Sequence, residues 1–326
     1  MSIPVTRRGA LVAASVFAIT GRARAATVIR WSDAMAVSHP EVSLMYKVAS
    51  DMKEQTGGAV DIQVFPGGQL GSTADTVAAV SLGATQMVSE SPGAFSQFVV
   101  PFSILEAPYL WRDVAHMRRA MAAPLMDGMI NQLIRERDMR MIGSTYYGTR
   151  QLTSGSRPVH TVDDMKGFKL RVPEVDIYRA MAEAWGARPT PLNIGELYLA
   201  LSQGAVDGEE NPLPTIQASK FNEVQKYLVL TAHIISPRMI VINETTWKSL
   251  DAKQQELLRA SIATHATEQN DAIVNQEKGL ADTFAKGGMT VIEPDIESFR
   301  KPVIDAMPRL FEAKWGKGLW EKAISA

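Results

Sequence analysis

The 326-residue chain contains no cysteine. That excludes disulfides, thiolate nucleophiles and cysteine-ligated metals. Beyond its first 25 residues it has no uninterrupted apolar run of about 18 residues, so no membrane-spanning helix is expected and the mature protein is not membrane-embedded. Basic blocks are missing too. The 34 Lys and Arg balance 35 Asp and Glu for a formal charge of −1, which argues against nucleic acid as the partner. Chemistry-bearing motifs are equally scarce. His39, His116, His160, His233 and His265 are scattered without an H-E-x-x-H pair, and no P-loop or G-x-S-x-G elbow occurs. The glycines of "PGGQLG" miss dinucleotide-binding spacing and read as a turn. "VDGEEN" clusters Asp207, Glu209 and Glu210 but has no second ligand motif, so a calcium loop is not expected. No catalytic constellation emerges: no cofactor and no metal are expected, and an enzyme is the weaker reading.

What is present begins with an export signal. Arg7 and Arg8 form a basic start, and Ala10 to Thr20 is apolar but too short to span a bilayer. Ala23-Arg24-Ala25 then offers a small-x-small cleavage pattern with Ala26 as the new N-terminus. The pair in Thr6-Arg7-Arg8 resembles a twin-arginine signal, although Gly9-Ala10 matches that pattern poorly, so the general secretory route stays open. Removing residues 1–25 takes away four arginines and no acids, moving formal charge from −1 to −5. The expected location is outside the cytoplasmic membrane, in the periplasm. A remaining chain of this length buries enough core without staples, divided between two domains.

The hydrophobic pattern reads as α/β. A strand over 27–31 is followed by a helix from about Glu41, where Val42, Met45, Val48 and Met52 share one face. Val60, Ile62 and Val64 alternate as a second strand, a helix follows near 74–82, and a third strand covers 86–89. This alternation implies a largely parallel sheet. The pattern then repeats: a strand at 139–145 with "YYGTRQLTS" as its exit, a helix start with capping-box spacing at Thr161 to Asp164, and a strand through "FKLRV" stopped by Pro173. Helices are expected over 175–185 and 194–203, joined by "RPTPL". From Asp251 to Lys286 there is no proline and glycine only at Gly279, which predicts either two helices or one that runs along both domains.

Three polar residues stand at junctions in this reading. Arg150 follows Tyr146-Tyr147-Gly148, Arg171 closes the "KLRV" strand, and Asn211 lies between the Asp207-Gly208 turn and Pro212. In open α/β sheets ligands sit beyond the carboxyl ends of strands, so these positions are candidates for one crevice. Taken singly each is ordinary: a strand-end arginine is usually solvated and Asn-Pro is usually a turn. Glu90, after the third strand, and Tyr147 are further candidates for reading ligand hydroxyls; a helix-start or solvated glutamate is the plain alternative for Glu90. Trp185 falls late in a helix and reads as packing.

Longer segments carry a resemblance. "KLRVP", the stretch "PTPLNIGELYLALSQGAVDGEENPLPTIQASKFNEVQKYLVLTAH", "GGAVDIQVFPGGQLGS", "VPFSILEAPYLW" and "HIISPRMIVINETTW" closely resemble the DctP-type solute-binding proteins of tripartite ATP-independent periplasmic (TRAP) transporters. The resemblance runs through the mature chain. It implies a two-domain periplasmic-binding-protein-like fold, with hinge strands, a long helix spanning both domains and the ligand enclosed between them. The divisions expected are 26–148 plus 237–277 and 149–236 plus 278–326. It also implies that Arg171 salt-bridges a ligand carboxylate, with Arg150 and Asn211 in support. The implied function is capture of a small organic acid and delivery to small and large TRAP membrane subunits, with the binding protein acting as a monomer. Sugar acids such as uronates and aldonates, C4-dicarboxylates and 2-oxo acids are candidate ligands. Glu209 departs from the glutamine often found in the family, which puts local loop detail in doubt. Two alternatives stay open: a binding or sensor protein of another uptake system, such as an ABC transporter, and an exported α/β enzyme.

Overall fold

The computed structural model describes residues 26–326, so the export signal expected over residues 1–25 lies outside the described residues. The nine strands are β1 (Thr27–Ser32), β2 (Val60–Phe65), β3 (Met87–Glu90), β4 (Met139–Ser154), β5 (Lys169–Val172), β6 (Arg188–Pro191), β7 (Gly208–Pro212), β8 (Tyr227–Asn243) and β9 (Thr290–Ile292). They form one mixed sheet in the order β2-β1-β3-β8-β4-β7-β5-β6, with β9 also on β8. The neighbouring pairs β1–β2, β1–β3, β5–β6 and β5–β7 are parallel, while β8 runs antiparallel to β3 and β4.

The two long strands are what join the sheet into one. Residues 239–242 of β8 pair with β3, whereas its residues 227–229 pair with β9. Likewise β4 pairs with β7 only from Arg150 to Ser154. The antiparallel β4–β8 ladder runs through both regions, with irregularities at Met141/Gly143, Tyr146/Gly148 and Arg150/Leu152. Here the structure corrects the expected strand end: "YYGTRQLTS" is not an exit but the second half of β4. Arg150 therefore lies inside a strand, and Asn211 lies within β7 rather than beyond one. The polar composition of these segments reads as loop, yet their side chains are buried against one another. The "RPTPL" connection also contains strand, since β6 lies at the end of the sheet path, where its two prolines are tolerated.

Strand alternation divides the core. Val88, Met239 and Val241 face one large apolar cluster; Met87, Ile240 and Ile242 face another, with Trp31, Val42 and Met45. A third cluster holds Leu197, Leu201, Leu213 and Ile216. The segment from Ala252 to Lys286 is a single helix of 35 residues, started by a capping box between Asp251 and Gln254. At 1.5 Å per residue it is about 50 Å long. Leu258 and Ile262 bury into the second cluster, Ile273 into the first, and Leu280 and Phe284 into the third, so this helix ties all three together.

Candidate ligand-binding site

A cavity of about 270 Å³ opens where the two regions of the sheet meet, and Arg150, Arg171, Asn211, Glu90 and Tyr147 all line it. Trp185 does not; it is buried, donates its indole N–H to the Phe299 carbonyl at 3.0 Å, and packs edge-on against His233 and Phe299.

Strand β5 puts Arg171 at the wall, and Pro173 follows the strand. The parallel register Arg171↔Thr190 brings the chain after β6 alongside, so Nε and Nη2 of Arg171 both donate to the Leu192 carbonyl, at 2.9 and 2.6 Å. Arg171 is 3% exposed, yet among the described residues no carboxylate lies within 4.0 Å of its guanidinium. Burial pulls this group below the usual arginine value, with Glu210 and Glu209 pulling the other way from farther off. A desolvated, fixed guanidinium without a paired anion is a receptor for one.

Arg150 is the opposite case. Its Nε and Nη2 form a fork on Glu210, at 2.5 Å to Oε2 and 2.8 Å to Oε1, and Nη2 also reaches the Glu210 carbonyl and Asn211 Oδ1. Burial disfavours its charge, but Glu210 holds it well above the ordinary value. Burial likewise works to raise Glu210, and Arg150 with His233 brings it below the ordinary carboxylate value instead. His233 Nε2 donates to Glu210 Oε2 at 2.9 Å, leaving Nδ1 to accept from the Thr231 hydroxyl at 2.8 Å. Arg150 is thereby aimed, with its guanidinium 5.0 Å from the Tyr178 ring centre.

Asn211 is held at both ends of its amide. Oδ1 accepts from Arg150 at 3.2 Å and from the Tyr147 hydroxyl at 3.4 Å, while Nδ2 donates to Glu209 Oε2 at 2.6 Å. One amide hydrogen remains for a ligand. Glu209 also accepts from the Thr153 hydroxyl at 3.0 Å, and burial pushes its carboxyl up to about 7. Asp207 of the same segment accepts from the Lys169 amide through Oδ2 at 2.8 Å and pins the start of β5.

Glu90 enters from the other region of the sheet, at the end of β3. The Thr73 hydroxyl donates to Oε1 at 2.9 Å and the Ser91 amide to Oε2 at 3.3 Å. Beside it stands Arg238 of β8, which sequence reasoning missed. Arg238 donates to Asp33 Oδ1 at 3.1 Å and to the Ser89 carbonyl, and its nearest contact to Glu90 is 3.8 Å. Its guanidinium lies 5.2 Å from the Tyr147 ring centre, so that ring sits near both Arg150 and Arg238. The signal was a charged residue in the otherwise apolar "RMIVI" run. Of the three arginines in the cavity wall, Arg150 and Arg238 each have a carboxylate of the protein within 4.0 Å, and Arg171 has none among the described residues.

The sequence matches the family described as bacterial extracellular solute-binding protein, family 7, over residues 31–314. A sialic acid-binding periplasmic protein from Vibrio cholerae is 30% identical over 298 residues, covering 91% of this chain and 92% of that protein. Among solved structures, a TRAP periplasmic solute-binding protein from Polaromonas bound to D-erythronate superposes with a TM-score of 0.86 at 28% identity, covering 92% of this chain and 98% of that one. One from Actinobacillus succinogenes with bound L-galactonate gives 0.87 at 27% identity, covering 91% and 98%. With the family match running through nearly all of the described residues, the chain belongs to the DctP family, the periplasmic solute-binding proteins of TRAP transporters.

Proposed function

We propose that the cavity captures a hydroxylated monocarboxylic acid, with its carboxylate on Arg171 and its hydroxyls read by Glu90, for delivery to the TRAP membrane subunits. The buried, unpaired Arg171 carries this reading. Its charge persists at every relevant pH, and its planar fork suits the two oxygens of a carboxylate. Arg150, locked by Glu210, and Asn211, with its remaining amide hydrogen, support the same oxygens. Arg238 already donates to Asp33 and the Ser89 carbonyl, and beside it Glu90 offers an acceptor, so a hydroxyl finds a partner there where a second carboxylate meets a group of its own kind. The hydroxylated acids bound by the relatives, sialic acid, D-erythronate and L-galactonate, favour this class over C4-dicarboxylates.

The domain division that supports closure is 26–148 plus 237–277 and 149–236 plus 278–326; the change of pairing partners along β4 and β8 speaks for it. Residues 1–25 are read as the export signal of this periplasmic protein, cleaved after Ala25, with the twin-arginine and general secretory routes both open. N-terminal sequencing of the mature protein, with and without a functional twin-arginine translocase, tests the cleavage site and route. A thermal-shift panel tests the ligand class, because a ligand that binds only the native state raises the melting midpoint. D-erythronate, L-galactonate, galacturonate and sialic acid form one arm, and succinate and malate the other. Shifts confined to the hydroxylated arm are expected; shifts confined to the dicarboxylates contradict the reading.

A further inference from the structure

The long helix does more than bridge the cores. One face of it grips β4 at the bulge between Tyr146 and Gly148, two residues before Arg150. Glu277 Oε1 accepts from the Thr149 amide at 2.6 Å, and Oε2 accepts from the Tyr146 hydroxyl at 2.7 Å. Higher on the same helix, Asn270 Oδ1 accepts from the Tyr146 amide at 2.6 Å and Gln269 Nε2 donates to the Tyr146 carbonyl at 3.1 Å. Residues 270, 273 and 277 are three and four apart, hence neighbours on one helix face, with the Ile273 side chain buried between the polar contacts. Gly148 completes the fit: its φ is 136°, and a Cβ there would lie 2.5 Å from Pro212 Cβ and 3.0 Å from Glu277 Oε1.

We propose that Glu277 is a positioning residue that fixes the pivot of the two-domain molecule and thereby aims Tyr147 and Arg150 into the cavity. The ladder of β4 and β8 passes from one set of sheet partners to the other at this bulge, so bending concentrates here. A bulge leaves backbone groups unpaired in the ladder. Glu277 answers one of them, the Thr149 amide, and anchors the Tyr146 ring on the opposite side of β4 from Tyr147. Removing the carboxylate frees both contacts and leaves the pivot without a fixed angle. Glu277 does not itself line the cavity. The proposal rests on the reading of the cavity as an acid site only for its functional meaning; its geometry stands apart.

The test uses the full mature chain without ligand. Because the protein has no cysteine, Gln63→Cys and Leu199→Cys place a nitroxide on an exposed site of each domain and nowhere else. Glu277→Ala, which removes both acceptor oxygens, is expected to broaden the distance distribution about twofold and to speed hydrogen exchange at the Thr149 amide by about 10-fold or more. Glu256→Gln, exposed on the same helix, leaves both unchanged. An unaltered distribution and exchange rate in Glu277→Ala overturns the proposal. Should that variant not fold, Tyr146→Phe removes one hydroxyl, with its bonds to Glu277 and to the Thr149 hydroxyl, and must shift both readouts in the same direction; no shift overturns the proposal equally. Since neither readout needs a ligand, failure here is separable from failure of acid binding in the thermal-shift panel.

Discussion

At the scale of single residues, the two outward-acting arginines differ by one carboxylate. Glu210 and Arg150 are both almost wholly buried and depend on each other for solvation. Glu210→Ala leaves the Arg150 charge buried and unpaired, and such a loss costs about 3–5 kcal/mol. A loss of unfolding free energy of that size is expected in denaturant titration, and a loss under about 1 kcal/mol would show that the pair is solvated by other means. Glu209 gives a pH signature. Burial pushes its carboxyl up to about 7 from 4.5, with Asn211 and Thr153 opposing and Glu210 adding to the rise. The folded protein keeps a proton that the unfolded chain releases, so this group favours folding most below about 4.5 and the gain is lost as pH rises through about 7. A bound carboxylate near Glu209 favours its protonated form further. Affinity for an acid anion is therefore expected to tighten as pH falls from about 8 to 6, where the ligand itself stays ionised. Calorimetry across that range checks it, and Glu209→Gln should flatten the profile.

At the scale of elements, the parallel βα units were legible because their periodicity is undisturbed. Val60, Ile62 and Val64, or Val42, Met45 and Val48, announce strand and helix without help from the site. The second half of β4 was not legible, because Thr149, Arg150, Gln151 and Thr153 are polar yet lie in the sheet and bond to β7, Glu210, Glu209 and the long helix. The residues that make the site are those that disguise its strand. Arg171, Arg150 and Asn211, expected from the family resemblance, line one cavity, whereas Arg238, Asp33, Glu210 and Glu277 became visible only when partners distant in sequence came together. The bulge makes its own prediction. Gly148→Ala forces a left-handed-side φ on alanine and a clash with Pro212, a strain of about 1–3 kcal/mol. Reduced thermal stability together with weaker acid binding is expected from scanning calorimetry and titration; full stability would mean that β4 bends elsewhere.

At the scale of the whole molecule, the cavity gathers groups from both regions of the sheet: Glu90 and Arg238 from one, Arg171 and Asn211 from the other, with Tyr147 and Arg150 on the strand that joins them. A ligand that touches both sides shifts any equilibrium between arrangements of the two regions by as much as its differential affinity for them. Everything in this account turns on the one buried guanidinium that the protein leaves without a carboxylate. The direct measurement is titration calorimetry of Arg171→Ala beside the wild type, using whichever of D-erythronate, L-galactonate, galacturonate or sialic acid raises the wild-type midpoint most, with circular dichroism to establish that the variant is folded. Loss of the carboxylate anchor predicts about 2–5 kcal/mol of lost affinity, roughly 30- to 4,000-fold. A folded Arg171→Ala protein that binds the same acid as tightly as the wild type would contradict it.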